Sequence, residues 1–245
     1  MLVTPRYLAG NTTVFDHGFV PLLTERSWPH LRDPDTGDLF ITSPCQRLRV
    51  AVYPDGYDTW QITASPDPFQ HIAWNAILTS ETPPEIVAAL TRALAVRLEH
   101  LPDSLFHEPP LTPVSVAFDP LVAAGWHKER TENFHRAESP DGLAGLQLQR
   151  WPRDEAPEPE PTDLIWQFTA GNGAAAWSAE FSRDTPLRIL KALTVAVTDP
   201  AAVRREPALI PAAHRPHVTV HPITAASTGP AALAPAPDVR RPASR

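Results

Sequence analysis

Cysteine and methionine are almost missing from this chain of 245 residues, each occurring once. Cys45 therefore has no internal disulfide partner, which excludes the disulfide-stapled class and fits a reducing compartment. No apolar run approaches the roughly 18 residues a membrane span needs. The opening MLVTPRYLAGNTTVF lacks the basic stretch and apolar stretch of a secretory signal. The expected location is the cytoplasm. Basic side chains are also short: 21 Lys and Arg stand against 28 Asp and Glu, a net charge of −7, which argues against a broad polycationic surface. There is no G-x-S-x-G, no Gly-rich phosphate loop and no H-E-x-x-H. Ten histidines are scattered, and the one close pair, His217 and His221, has no Cys partners. No catalytic residue, metal ligand or cofactor is expected. Glycine is sparse at ten residues, whereas proline reaches thirty, punctuating strands and filling the C-terminal tail.

What the chain does contain is a repeat. AWNAILTSETPPEIVAAL (Ala73 to Leu90) returns as AWSAEFSRDTPLRILKAL (Ala176 to Leu193), with eight of 18 positions identical. Upstream, TWQITAS matches IWQFTAG, which pairs Trp60 with Trp166. Ser43-Pro44 parallels Ser139-Pro140, and Trp28 parallels Trp126. The landmarks keep their order while their spacing changes, as insertions in loops on a shared framework would do. The largest insertion is WPRDEAPEPEPTD (Trp151 to Asp163), a Pro- and acid-rich connection that predicts a long exposed hairpin loop.

Each copy reads as four strands and a helix. The segments around LFITSP, LRVAVY, WQITA and AWNAIL, and their counterparts FHRAESP, LQLQR, WQFTA and AWSAEF, alternate apolar and polar positions with the period of half-buried antiparallel strands. Thr82-Pro83 with Glu85 predicts an N-cap, an N1 proline and a capping box; Thr185-Pro186 repeats the cap. The tryptophans are expected to fill the space between sheet and helix. The expected class is α+β: two tandem ββββα repeats over 14–101 and 112–199, antiparallel sheets each covered by one helix, packed about a pseudo-twofold axis. An Ala- and Pro-rich basic tail, 200–245, is expected to be mostly disordered, with His217 to Ile223 able to add an edge strand.

The Ser-Pro strand end, the W-x-I/F-x-A strand, the A-W-x-A strand and the T-P-x-x-I/L helix, all in tandem, resemble the SPDY-motif domain family of bacteria, whose function is unknown. The second copy carries Ser139-Pro140-Asp141, whereas the first has Cys45 in place of the Asp. In element order alone the repeats are similar to Whirly and Pur-repeat proteins, a likeness that implies nucleic-acid binding.

Function then rests on surfaces. The Ser-Pro-Asp strings read as turns, because adjacent residues on a turn do not make a nucleophile, base and orienter. From Pro200 onward six Arg stand against two acids, or +4, so the preceding 199 residues carry −11, with 15 basic against 26 acidic. Nucleic-acid contact must then come from local sets: Arg47 and Arg49 near the second strand, Lys128, Arg130 and Arg136 near the second Trp, and Arg183, Arg188 and Lys191 around the second helix. The leading expectation is a non-enzymatic nucleic-acid (DNA)-binding protein that uses the polar sheet faces. The alternative is a protein-interaction adaptor or regulatory module, whose polar face meets another protein.

Overall fold

The structure is a computed structural model and describes residues 1–11, 18–57, 59–106, 109, 111–150 and 163–223. The acid-rich connection at 151–162, with Asp154, Glu155, Glu158 and Glu160, and the end of the tail, 224–245, lie outside the described residues.

The chain is α+β and its sheets are antiparallel. A short first strand β1 (Leu2–Thr4) leads to helix α1 (Val20–Leu23). Strands β2 (His30–Arg32), β3 (Leu39–Thr42), β4 (Leu48–Val52), β5 (Trp60–Ala64) and β6 (Trp74–Leu78) follow, and helix α2 (Pro84–His100) closes the first half. The second half runs through α3 (Ser115–Ala123), β7 (His127–Arg130), β8 (Phe134–Glu138), β9 (Ala144–Gln149), β10 (Leu164–Ala170), β11 (Trp177–Ser182) and α4 (Leu187–Thr198). Strands β12 (Val203–Arg204) and β13 (Thr219–His221) complete the chain.

The two halves do not form separate sheets. Strand β6 pairs with β11, so ten strands lie in one sheet, in the order β2-β3-β4-β5-β6-β11-β10-β9-β8-β7. Alternation fixes which face is covered. In β4, β5 and β6 every second residue is buried, and β9, β10 and β11 repeat the pattern. Helices α2 and α4 carry the matching apolar faces, including Ile86, Leu90 and Leu94, and Ile189, Leu190 and Leu193. Trp60, Trp74, Trp166 and Trp177 are all buried in this layer. The indole N–H of Trp74 donates to the Leu105 carbonyl (2.6 Å), and that of Trp177 to the Tyr7 carbonyl (2.9 Å). A buried indole needs such an acceptor, and this sets the position of the chain on either side of the core.

Three expectations are corrected. First, each half holds five strands rather than four. The extra strands, β2 and β7, are short edge strands exposed at every position, so no period-two burial pattern marks them. Second, Thr82 and Thr185 are not caps. The helices begin one residue later, after Pro83 and Pro186, with no side-chain cap bond. The buried Thr82 hydroxyl donates to the Thr79 carbonyl (2.8 Å) and closes the strand-to-helix turn instead. Third, residues 200–223 are folded. Strands β12 and β13 flank β1 in a second sheet, built from the two ends of the chain. The expected edge strand after His217 is β13, and its partner is β1. Arg205 anchors this segment: its buried guanidinium grips both carboxylate oxygens of Glu85 (2.6 Å each) and the Gly10 carbonyl. Glu85, expected in a capping box, is thereby a partner of the C-terminal segment.

Candidate interaction surfaces

The Ser-Pro motif is structural in both halves. Ser43 Oγ accepts the Leu48 N–H (3.0 Å), and Ser139 Oγ accepts the Ala144 N–H (2.9 Å), each five residues on. Both turns need a left-handed residue three places after the Ser: Gly142 (φ 70°) in one, Gln46 (φ 61°) in the other. Asp141 adds what Cys45 cannot. It accepts from Ser139 Oγ, from the Leu143 N–H (3.0 Å) and from the Tyr7 hydroxyl (2.9 Å), fastening the N-terminal segment to the second half. Burial works to raise the Asp141 carboxyl, but hydrogen bonds from Ser139, Leu143 and Tyr7 prevail and hold it below the usual range. Burial, reinforced by Asp141, raises the Tyr7 phenol well above its ordinary value. The cluster is thus a locked turn.

Helices cover one face of the ten-stranded sheet. The opposite face presents a row of directly paired residues across all ten strands. In the first half it reads Leu31, Phe40, Ala51, Gln61 and Ile77; in the second it reads Glu180, Gln167, Gln147, Arg136 and Glu129. Position by position, Leu31 and Phe40 in one half occupy the places of Glu129 and Arg136 in the other. Leu31 is 68% and Phe40 39% exposed, and Phe40 meets Tyr53 edge-on at 6.0 Å. Near the seam between the halves, Tyr57, Ile77, Leu164 and Glu180 border a groove of about 430 Å³.

The eight basic residues expected to form a site are dispersed. Arg49 projects from the open face and donates to the Pro68 carbonyl (3.1 Å). Arg136 shares that face but is paired with Glu138 (3.3 Å). Six strand spacings separate β4 from β8, about 29 Å. Arg47 is held by Asp103 (3.4 Å) and stacks 4.3 Å over the Phe106 ring. Arg183 follows β11 half-buried, while Arg188 and Lys191 point outward from α4. Lys128 and Arg130 lie on the helix side of the sheet, since their partners across the ladder are the buried Ala137 and the half-buried His135, which shares its face. There they meet two residues the sequence pattern did not single out, His135 and Arg150. Arg150 follows the alternating run of β9 and has the parity of Leu148, a signal that alternation alone carried.

Among the described residues no three His, Cys, Asp or Glu side chains converge to hold a metal, and no helix is long and apolar enough to cross a membrane.

A protein-family model for SPDY, a domain of unknown function (DUF317), matches residues 42–99 and 138–203. No curated protein and no solved structure matches the chain. The matched segments begin at the two Ser-Pro turns and run to the ends of α2 and beyond α4, so the shared unit comprises the last three strands and the helix of each half. Together they span half of the sequence: the chain belongs to the SPDY domain family and carries the domain twice.

Proposed function

We propose that this protein is a non-enzymatic protein-interaction module, in which the open face of the ten-stranded sheet receives a partner protein. The halves act as two copies of an extended unit related by a pseudo-twofold axis near the Ile77–Glu180 pair. The observation that carries the reading is the row from Leu31 to Glu129. A purely solvated sheet face has no reason to place the exposed Leu31 and Phe40 and the half-buried Ile77 in one row. Ten strands at about 4.8 Å spacing and five residues at about 3.4 Å give a projected face near 820 Å². A standard protein interface buries about 800 Å² per partner. The asymmetry sets the partner's chemistry. It brings apolar side chains to Leu31, Phe40 and Ile77, an acid to Arg49, and hydrogen-bonding groups to Gln147 and Gln167.

The Whirly- and Pur-like reading rests on element order alone. The open face offers phosphate little, because Arg49 and Arg136 share it with Glu129, Glu138 and Glu180. Nucleic acid is a second reading, favoured by the basic set at the β7 edge.

The test is the mass of the protein isolated gently from its own cells. The chain alone is 26.9 kDa. A complex of larger mass is expected, and Phe40→Glu with Ile77→Glu should reduce it to the single chain without lowering the melting temperature. A single-chain mass in the native extract, or a complex indifferent to the pair of substitutions, contradicts the reading.

A further inference from the structure

The outer corner of the second half concentrates positive charge in a chain that is otherwise acidic. Strand register makes the cluster. Arg130 sits directly across the ladder from His135, and His135 from Leu148. Lys128, two residues before Arg130, and Arg150, two residues after Leu148, are the diagonal neighbours of His135 on that same face, about 7–8 Å away. The Arg150 N–H donates to the Asn133 carbonyl (2.7 Å), which carries the β8–β9 pairing one residue further, to the β7–β8 turn. All three cations are exposed. None has an ion pair among the described residues, whereas Arg6, Arg26, Arg47, Arg92, Arg136 and Arg205 all do. The Lys128 ammonium lies 5.4 Å over the Phe118 ring, which orients it beside His135. His135 Nε2 is buried and finds no hydrogen-bond partner among the described residues.

We infer that Lys128, Arg130 and Arg150, arranged around His135 on the β7–β8–β9 corner, form a binding site for the phosphodiester backbone of single-stranded nucleic acid. Three like charges held this close repel one another, and a chain of phosphates relieves that repulsion. Lys128 and Arg130 lie on the edge strand β7 and Arg150 just past β9, two strand spacings or about 10 Å away, so the charge is spread more widely than a single small anion reaches and suits an extended polyanion. Among the described residues the nearby acids do not close the site. Glu129 points to the opposite face, and Glu132 is exposed in the turn. The proximity of the three cations has a consequence for His135: burial first, and then Arg130, Arg150 and Lys128, push its imidazole below the usual range. The site lies across the sheet from the open face, so it goes beyond the protein-partner reading and stands or falls separately.

The experiment is fluorescence anisotropy of the full chain with a labelled oligothymidylate about 15 nucleotides long, titrated at several salt concentrations. Three phosphate contacts predict a log–log salt slope near −2, at about 0.7 per phosphate on a single strand. Replacing Lys128, Arg130 and Arg150 together by Gln should weaken binding at least about tenfold at low salt and flatten that slope. Arg188→Gln with Lys191→Gln should leave both unchanged. Should the triple variant fail to fold, the three single Gln variants apply, each expected to remove about a third of the slope. The inference is overturned if the unsubstituted chain does not bind at low salt, or if the Gln variants bind with its slope. It is equally overturned if poly-glutamate of equal charge, or inorganic phosphate at equal phosphate concentration, displaces the probe as well as unlabelled oligothymidylate does.

Discussion

Thr79 and Ser182, 103 residues apart, do the same work in opposite directions across the seam of the ten-stranded sheet. Thr79 Oγ1 accepts the backbone N–H of Ser178 (2.9 Å), and Ser182 Oγ accepts the backbone N–H of Asn75 (3.0 Å). Both hydroxyl residues are buried. Each lies where the β6–β11 ladder would otherwise leave a donor without an acceptor, so the two halves are fastened by reciprocal side-chain bonds. Thr79→Val and Ser182→Ala should each destabilise the protein by about 1 kcal/mol, because each strands one part-buried N–H. The bonds sit at opposite ends of the short ladder, so the double variant should be additive to within about 0.5 kcal/mol in urea denaturation. Separate unfolding transitions for the two halves in either variant would instead indicate that the seam alone couples them.

The paired indoles make a second comparison. Trp177→Ala should cost roughly 3–5 kcal/mol as a cavity opens beneath α4. Trp177→Phe keeps most of the ring volume and strands only the Tyr7 carbonyl, so a loss nearer 1 kcal/mol is expected. Trp74 should follow the same order, with Leu105 as the stranded acceptor. An equal loss for Phe and Ala at either position would mean that the hydrogen bond, rather than ring volume, dominates there.

Arg205 and Glu85 tie the C-terminal segment to the start of α2, and the Arg side chain is fully buried. Arg205→Met leaves Glu85 facing a site built for a cation, and about 3 kcal/mol of stability should be lost. Replacing both partners with apolar residues should recover much of that loss. Chemical denaturation of the two single variants and the double variant measures the coupling. A double variant no more stable than Arg205→Met would show that the contacts of Arg205 with Gly10 matter more than its pairing with Glu85.

His214 gives the fold a pH dependence. It is fully buried; Nδ1 lies 3.0 Å from the Leu8 carbonyl, and Nε2 accepts the Asn172 N–H. Burial, helped by His217, outweighs the Leu8 carbonyl and Glu81 and holds its pKa below the ordinary 6.5. A base whose folded pKa is lowered binds its proton first in the unfolded chain. Stability is therefore full above about pH 6.5 and falls as the pH drops below it. The melting temperature should decline between about pH 7 and pH 5. His214→Gln, although less stable at neutral pH, should flatten that decline. A slope unchanged by the substitution would assign it to other groups.

The sequence carries the parts of this fold that repeat with a period. Strands β4, β5 and β6 and their counterparts show alternation, and both long helices follow a Thr-Pro step. The edge strands β2 and β7 are exposed on both faces and so leave no pattern. Pairing of the chain ends in β12-β1-β13 depends on contacts some 200 residues apart, which local composition does not encode; an Ala- and Pro-rich tail reads as unstructured until Arg205 meets Glu85. The joining of two sheets into one is equally non-local. It is why the basic residues, grouped by sequence neighbourhood, fall on different surfaces, while Lys128, Arg130 and Arg150 come together through register.

The central claim is that the open sheet face carries a protein partner, and site-directed photocrosslinking in the protein's own cells tests it most directly. A photoreactive phenylalanine placed at Leu31, Phe40 or Ile77 should yield a discrete adduct with one protein, and adding Arg49→Glu should diminish it. The same probe at Arg188 or Lys191, on the outer side of α4, should not yield that adduct. Adducts confined to the α4 positions, or adducts from the open face that contain only nucleic acid, would contradict the account.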